Sequence, residues 1–303
     1  MTSTPKLQVS LLVIDLDNTV WDWFDAWYQS FTALLEGLHD ATGIAIADLE
    51  SEIRPIHQAR FTSEYSWLVE EMVSLQALVP QGGDVRERFE DAIHRQNSAR
   101  KRSTRAYPGV IETLRTVNAV GVPVVAYTES LEFWTRWRIK LLGLDGVIDR
   151  LYSSPDHDMP IGVDVDKKRW FPAENYQFTF TEHHHVPAGI VKPDPHILQQ
   201  IIDEYGIDPS QVAYVDDSLM KDVAMAQTVG ALDVYAQYGD SHLDPRYAQL
   251  QRVSHWLDTA VKKEQSNSPG VHPTPSYVLD KGFDQLLDFF DFKSIGSRET
   301  AEV

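Results

Sequence analysis

The sequence predicts an α/β fold: a doubly wound parallel sheet with an all-helical domain inserted near its start. Three observations carry that reading. Short apolar runs of strand length end abruptly in polar residues, at Leu11–Ile14 before Asp15, Val122–Tyr127 before Thr128, and Val212–Val215 before Asp216. Such runs suit strands buried on both faces. Helical spacing alternates with them from about residue 109 to 236, the rhythm of a parallel sheet covered by helices. Between the first two runs, residues 20–105 carry only helical patterns.

In order along the chain, residues 9–14 (VSLLVI) predict a central strand. Helices follow at 20–40, with Trp23, Trp27, Phe31, Leu34, Leu35 and Leu38 near one face, and then at 46–60, 64–79 and 84–102. Pro80-Gln81-Gly82-Gly83 separates the last two. A helix at 109–119, a strand at 121–127, a helix at 131–142 and a short strand at 147–152 come next. Residues 153–191 are polar and proline-containing, and the alternation of Tyr176, Phe178 and Phe180 within them predicts a hairpin strand. Its apolar face is expected to pack on the Trp-rich first helix and help close a pocket. A helix at 195–205, a strand at 212–215, a helix at 219–229 and a strand at 231–236 complete the pattern. Residues 266–276 (SNSPGVHPTPS) read as a linker, and the apolar 277–292 as a segment able to dock, as a helix.

Composition bounds the function. The 303 residues are 43% hydrophobic, with 8 Trp, 12 Tyr and 12 Phe, enough for a large core. The formal net charge of −18 disfavours nucleic acid and anionic membranes as partners, and requires any phosphate site to be locally cationic. The absence of cysteine excludes disulfides, thiol catalysis and Cys-based zinc sites. The N-terminal apolar run is short and ends in aspartate, unlike a signal peptide, and no segment has the ~20 apolar residues of a membrane span. A cytoplasmic protein is the expectation.

The chemistry concentrates where strands end, which is where open parallel sheets bind ligands. Asp15 and Asp17 follow the first strand, two apart in extended chain, and so project to the same side. Thr128 follows the second strand, Lys192 precedes a later helix, and Asp216, Asp217 and Asp222 follow another strand. Close carboxylates repel one another and resist losing water, so a cation must compensate. An all-oxygen set of this kind suits Mg²⁺. Each residue alone has a blander reading. Asp17, Asn18 and Thr19 suit a helix cap, Thr128 a turn, Lys192 a solvated surface, and Asp217 and Asp222 a loop cap and a helix surface. The coherence of the set is what favours a site.

These four stretches, DLDNT, the strand-end Thr128, Lys192-Pro193 and DDSLMKD, resemble in order the four motifs of the haloacid dehalogenase superfamily, over roughly residues 10–236. The resemblance implies a Rossmann-like catalytic core at 1–20 and 106–265, carrying the insertion 153–191. It also implies a C1-type helical cap at 21–105, with 266–303 as linker and tail. It implies that Asp15 is the nucleophile of an aspartyl-phosphate route and Asp17 the general acid and base. Mg²⁺, with Mn²⁺ as a substitute, would be held by Asp15, the Asp17 carbonyl and Asp217, with Asp222 direct or through water and Asp216 as an alternative ligand. Thr128, Glu129, Lys192 and Asn18 would bind the phosphoryl group. Asp216 departs from the frequent Gly at its position, and Lys221 from the frequent Asn. Asp17 bears on the reaction, because ion-pumping ATPases of the superfamily carry Thr there and dehalogenases lack the acid. A phosphatase acting on a small phosphorylated metabolite is the expectation, with phosphoryl transfer to a second substrate, or a non-catalytic metal- and phosphate-binding regulator, as the alternatives.

Trp23, just past the first motif, is the expected pocket-lining residue. The basic run Arg95, Arg100, Lys101, Arg102 and Arg105 reads as a solvated helix end. His183-His184-His185 reads as a solvated turn rather than a zinc site, since three consecutive residues in a loop do not easily face one metal.

Overall fold

A computed structural model describes residues 6–157, 160, 172–187, 189–242, 244–258 and 273–294. β1 (Leu7–Val9) leads into β2 (Leu11–Ile14), and β3 (Val124–Leu131), β4 (Arg150–Ser154), β5 (Glu182–His185), β6 (Val212–Asp216), β7 (Leu232–Tyr235) and β8 (Tyr277–Val278) follow. β2 to β8 form one seven-stranded sheet in the order β5-β4-β3-β2-β6-β7-β8, and every pair is parallel. The completely buried LLVI run of β2 takes the middle place, as its lack of polar residues requires.

Strand parity builds the two layers. Leu12, Ile14, Val124, Ala126, Ala213 and Val215 point to one face, where the helix Val110–Ala119 covers them. Leu11, Val13, Val125, Tyr127, Val212 and Tyr214 point to the other, against the helices Pro195–Tyr205 and Ala224–Val229. This is the doubly wound sheet expected.

Between β2 and β3 the chain is helical. It leaves and returns at one place: Asp22 N–H donates to the Arg105 carbonyl at 3.2 Å, and Tyr107 N–H to that of Val20 at 3.0 Å. The helices Trp23–Thr42, Ile46–Arg60 and Glu90–Ser103 enclose their own apolar cluster around Phe24, Trp27, Phe31, Leu35 and Leu38. The expected helix at 64–79 is instead two turns, Leu68–Glu71 and Val73–Gln76, because Met72 is extended at ψ 114°. Tyr247, Leu250 and Val253 of the helix Tyr247–Val253 join this second cluster, so the segment after β7 packs on the helical insertion.

A further expectation is corrected. Residues 176–181 form no hairpin strand. The N–H groups of Thr179, Phe180 and Thr181 all turn onto the Asp145 carboxylate at 2.9–3.1 Å, which a strand ladder would forbid. Tyr176 packs on Phe133, Arg136 lies over Phe178, and Phe180 is exposed, so the alternation does not make one apolar face against the first helix. The chain instead returns as β5, a parallel edge strand. The segment 277–292 docks with a helical middle at 283–289 and a short strand on each side: β8 extends the sheet and β9 (Phe290–Phe292) pairs with β1. The linker expected at 266–276 falls largely outside the described residues. No helix among them is long and apolar enough to cross a membrane.

Candidate active site

β2, β3 and β6 run side by side and in parallel, so their carboxyl ends deliver Asp15, Thr128 and Asp216 to one edge of the sheet. Asp15 is buried, and its Oδ1 accepts from Lys192 Nζ at 2.7 Å. The same ammonium, 4% exposed, donates to Asp216 Oδ2 at 2.9 Å and pairs with Asp222 Oδ1 at 3.1 Å. Tyr214 Oη donates to Asp222 at 2.7 Å from beneath. The carboxylates of Asp15, Asp216 and Asp217 place one oxygen each within 4.8 Å of one another. Asp222 stands outside that set, held by Lys192 and Tyr214. Ser218 N–H fixes Asp216 Oδ1 at 2.9 Å.

Three of the four carboxylates here, Asp15, Asp216 and Asp222, share a single buried ammonium. Burial pushes Asp15 up to about 7, against the lowering effect of Lys192. Burial, reinforced by Asp216, pushes Asp222 up to about 8. Burial and its acidic neighbours also raise Asp217 well above the usual carboxylate range. A hard divalent cation held by Asp15, Asp216 and Asp217 would relieve this crowding, and the all-oxygen donor set fits one. Asp15, Asp216 and Asp217 are the residues able to hold it.

Asp17 lies in a separate environment although only two residues away. Its carboxylate accepts from Trp21 Nε1 and Ser130 Oγ, and Arg138 Nη1 lies 3.9 Å away. Burial, the largest influence, raises its pKa despite Arg138. The two acids of DLD thus have different partners: ammonium and acidic neighbours for Asp15, hydroxyl, indole and guanidinium for Asp17.

The other expected residues are placed as follows. Thr128 is buried at the end of the β3 core, and its Oγ1 accepts from Ser130 N–H at 3.1 Å. The Glu129 carboxylate is occupied by Lys192 N–H at 2.8 Å and Lys221 Nζ at 3.0 Å, which ties three site segments together. Asn18 adopts φ 61° and its Oδ1 accepts from Phe24 N–H at 3.1 Å, so its side chain fixes the start of the first inserted helix. Trp23 is half-buried between the two apolar clusters and donates its indole N–H to Glu64 Oε2 at 2.9 Å.

Sequence reasoning missed Glu64, Arg138, Ser130 and Gly239. Glu64, from the insertion, pairs with Arg138, a residue buried completely on the helix Glu132–Leu141. Trp134 Nε1 donates to the Glu64 carbonyl at 3.1 Å. Arg100, expected in solvent, is buried with its guanidinium 4.0 Å over the Trp134 ring. Gly239 brings a turn so close that a Cβ there would stand 1.8 Å from the Asn18 carbonyl oxygen. An acid in a polar loop and an arginine inside an otherwise apolar helix face were the only signals available, and neither names its partner.

The sequence model described as haloacid dehalogenase-like hydrolase matches residues 9–230. No curated protein matches the chain. Among solved structures, a 2-haloacid dehalogenase from Pseudomonas syringae pv. Tomato DC3000 is 18% identical, with a TM-score of 0.51 over 93% of this chain and 98% of that one. A phosphoglycolate phosphatase, so described by prediction, from Haemophilus somnus 129pt is 16% identical, with a TM-score of 0.46 over 93% and 97%. At these identities the likeness concerns the fold alone.

Proposed function

Since the chain belongs to the haloacid dehalogenase-like hydrolases, we propose that it is a Mg²⁺-dependent phosphomonoester hydrolase acting on a small phosphorylated metabolite through an aspartyl-phosphate on Asp15. The observation that carries this reading is the environment of Asp17. A carboxyl group whose pKa burial raises, held by Ser130 and Trp21 beside the nucleophile, is equipped to protonate a leaving alkoxide. Displacement of a halide needs no such acid.

Asp15 Oδ attacks phosphorus and the bond to the leaving oxygen breaks as Asp17 gives that oxygen its proton. Asp17, now ionised, takes a proton from water, which attacks the aspartyl-phosphate and restores Asp15. Lys192 orients Asp15 and offers positive charge to the phosphoryl oxygens, and Thr128 offers them its hydroxyl. A bound Mg²⁺ would supply charge neutralisation between Asp15 and the phosphoryl group. The helical insertion acts as a cap that excludes water and selects the leaving group.

The test is phosphate release from a metabolite panel with Mg²⁺, repeated after chelation and with Asp15→Asn. Activity that vanishes with EDTA, returns with Mg²⁺ or Mn²⁺, and is absent from Asp15→Asn is expected. Phosphate release at wild-type rate by Asp15→Asn overturns the nucleophile assignment. Phosphoryl transfer to an added hydroxyl acceptor in place of phosphate release would make the chain a phosphotransferase.

A further inference from the structure

The histidine run does not lie in a turn. His183-His184-His185 occupy β5, where alternate residues face the same way. His184 points to one side and stacks on Tyr152, ring centroids 5.0 Å apart. His183 and His185 point to the other, with ring centroids 4.7 Å apart, and meet Glu132 from the first turn of the helix Glu132–Leu141. His185 Nε2 lies 2.7 Å from Glu132 Oε2, and His183 Nδ1 lies 3.6 Å from Glu132 Oε1. One donor atom from each of the three residues falls within 4.8 Å of the others.

We propose that His183, His185 and Glu132 form a second metal site, separate from the aspartate cluster, that binds Zn²⁺ or a similar borderline divalent ion. Two imidazoles and a carboxylate are zinc chemistry rather than magnesium chemistry. Donors ~2.0–2.2 Å from a tetrahedral ion stand roughly 3.3 Å apart, and here His185 Nε2 and Glu132 Oε2 are 2.7 Å apart with one donor atom of all three residues within 4.8 Å of the others. The surroundings are those of a built site. Ser153 Oγ lies 2.9 Å from His183 Nε2, so an N–H there donates to the hydroxyl and leaves Nδ1 as the ligand. Arg136 Nη1 holds Glu132 Oε1 at 2.6 Å, which leaves Oε2 to face the ion. His183 is 12% and His185 51% exposed at the side chain, so an ion can enter and a fourth position stays open to water. The bound ion ties the edge strand β5 to the helix that follows Thr128 and Ser130.

The full chain is stripped with EDTA, returned to excess Mg²⁺ to fill the aspartate site, and titrated calorimetrically with Zn²⁺. One equivalent is expected to bind. His183→Ala and His185→Ala should each weaken binding more than about 100-fold, beyond the ~10–100-fold of a supporting residue such as Ser153→Ala. His184→Ala, on the opposite side of the strand, should bind as the wild type does. Since a variant can misfold, Co²⁺ added to the wild-type protein gives an independent reading: the intense visible bands of a four-coordinate site are expected. Absence of saturable Zn²⁺ binding under Mg²⁺, retention of it by both histidine variants, its equal loss in His184→Ala, or a purely octahedral Co²⁺ spectrum would each overturn the proposal.

Discussion

Lys192 Nζ and Asp15 Oδ1 meet at 2.7 Å although 177 residues separate them in the chain. Both are buried, and the same ammonium also contacts Asp216 and Asp222. One cation therefore holds the carboxylates of β2 and β6 together before any metal arrives.

Removing it should be costly. Breaking a buried charge pair by deleting one partner destabilises by roughly 3–5 kcal/mol. Lys192→Met is expected to lose stability on that scale in EDTA at pH 8, and less at pH 5, where protonation relieves the stranded carboxylates. Urea unfolding at the two pH values checks this. An equal loss at both would show that packing, not charge, is what the lysine contributes.

Asp17→Asn should lower turnover by ~10²–10⁴-fold, the usual share of general acid–base catalysis. The loss should be smaller on an aryl phosphate, whose leaving group needs little protonation. Steady-state rates on alkyl and nitrophenyl phosphates make the comparison, and identical losses would count against the acid role.

Stability should depend on pH and on metal together. Without a divalent ion, burial raises Asp15 from 3.8 to about 7 and Asp222 from 3.8 to about 8. Between those limits the folded protein keeps protons that the unfolded chain has released, so stability falls as pH rises through the window. Mg²⁺ favours the ionised folded form, and its stabilising effect should therefore grow from pH 5 to pH 8. Melting temperatures with Mg²⁺ and with EDTA at both pH values test the sign. A rise that is equal at the two would be inconsistent with these shifts.

Gly239→Ala should disturb the site without replacing any charged group. Its Cβ would meet the Asn18 carbonyl at 1.8 Å and approach Asp217 Cβ at 3.3 Å, and Asn18 is anchored by Phe24 N–H. Overpacking of this kind costs typically ~1–3 kcal/mol. A lower melting temperature together with weaker Mg²⁺ activation is expected. A wild-type melt and metal response would mean that the turn yields freely.

The sequence by itself determined the five inner strands of the sheet, their order of chemistry and the acidic cluster. Those features are local: an apolar run long enough for a strand, a polar break, and a two-residue spacing that sets Asp15 and Asp17 at one strand end. Their place at the carboxyl ends of neighbouring strands then follows from parallel topology. Tertiary structure alone decided which partners those acids meet. Glu64 reaches Trp23 across 41 residues and Arg138 across 74. Gly239 closes on Asn18, and Glu132 meets His183 and His185 only because β5 returns as a parallel edge strand rather than a hairpin. Period and composition report how each segment is buried. They carry no record of which distant side chain completes its charge or hydrogen bonds, because that choice is made when the layers pack.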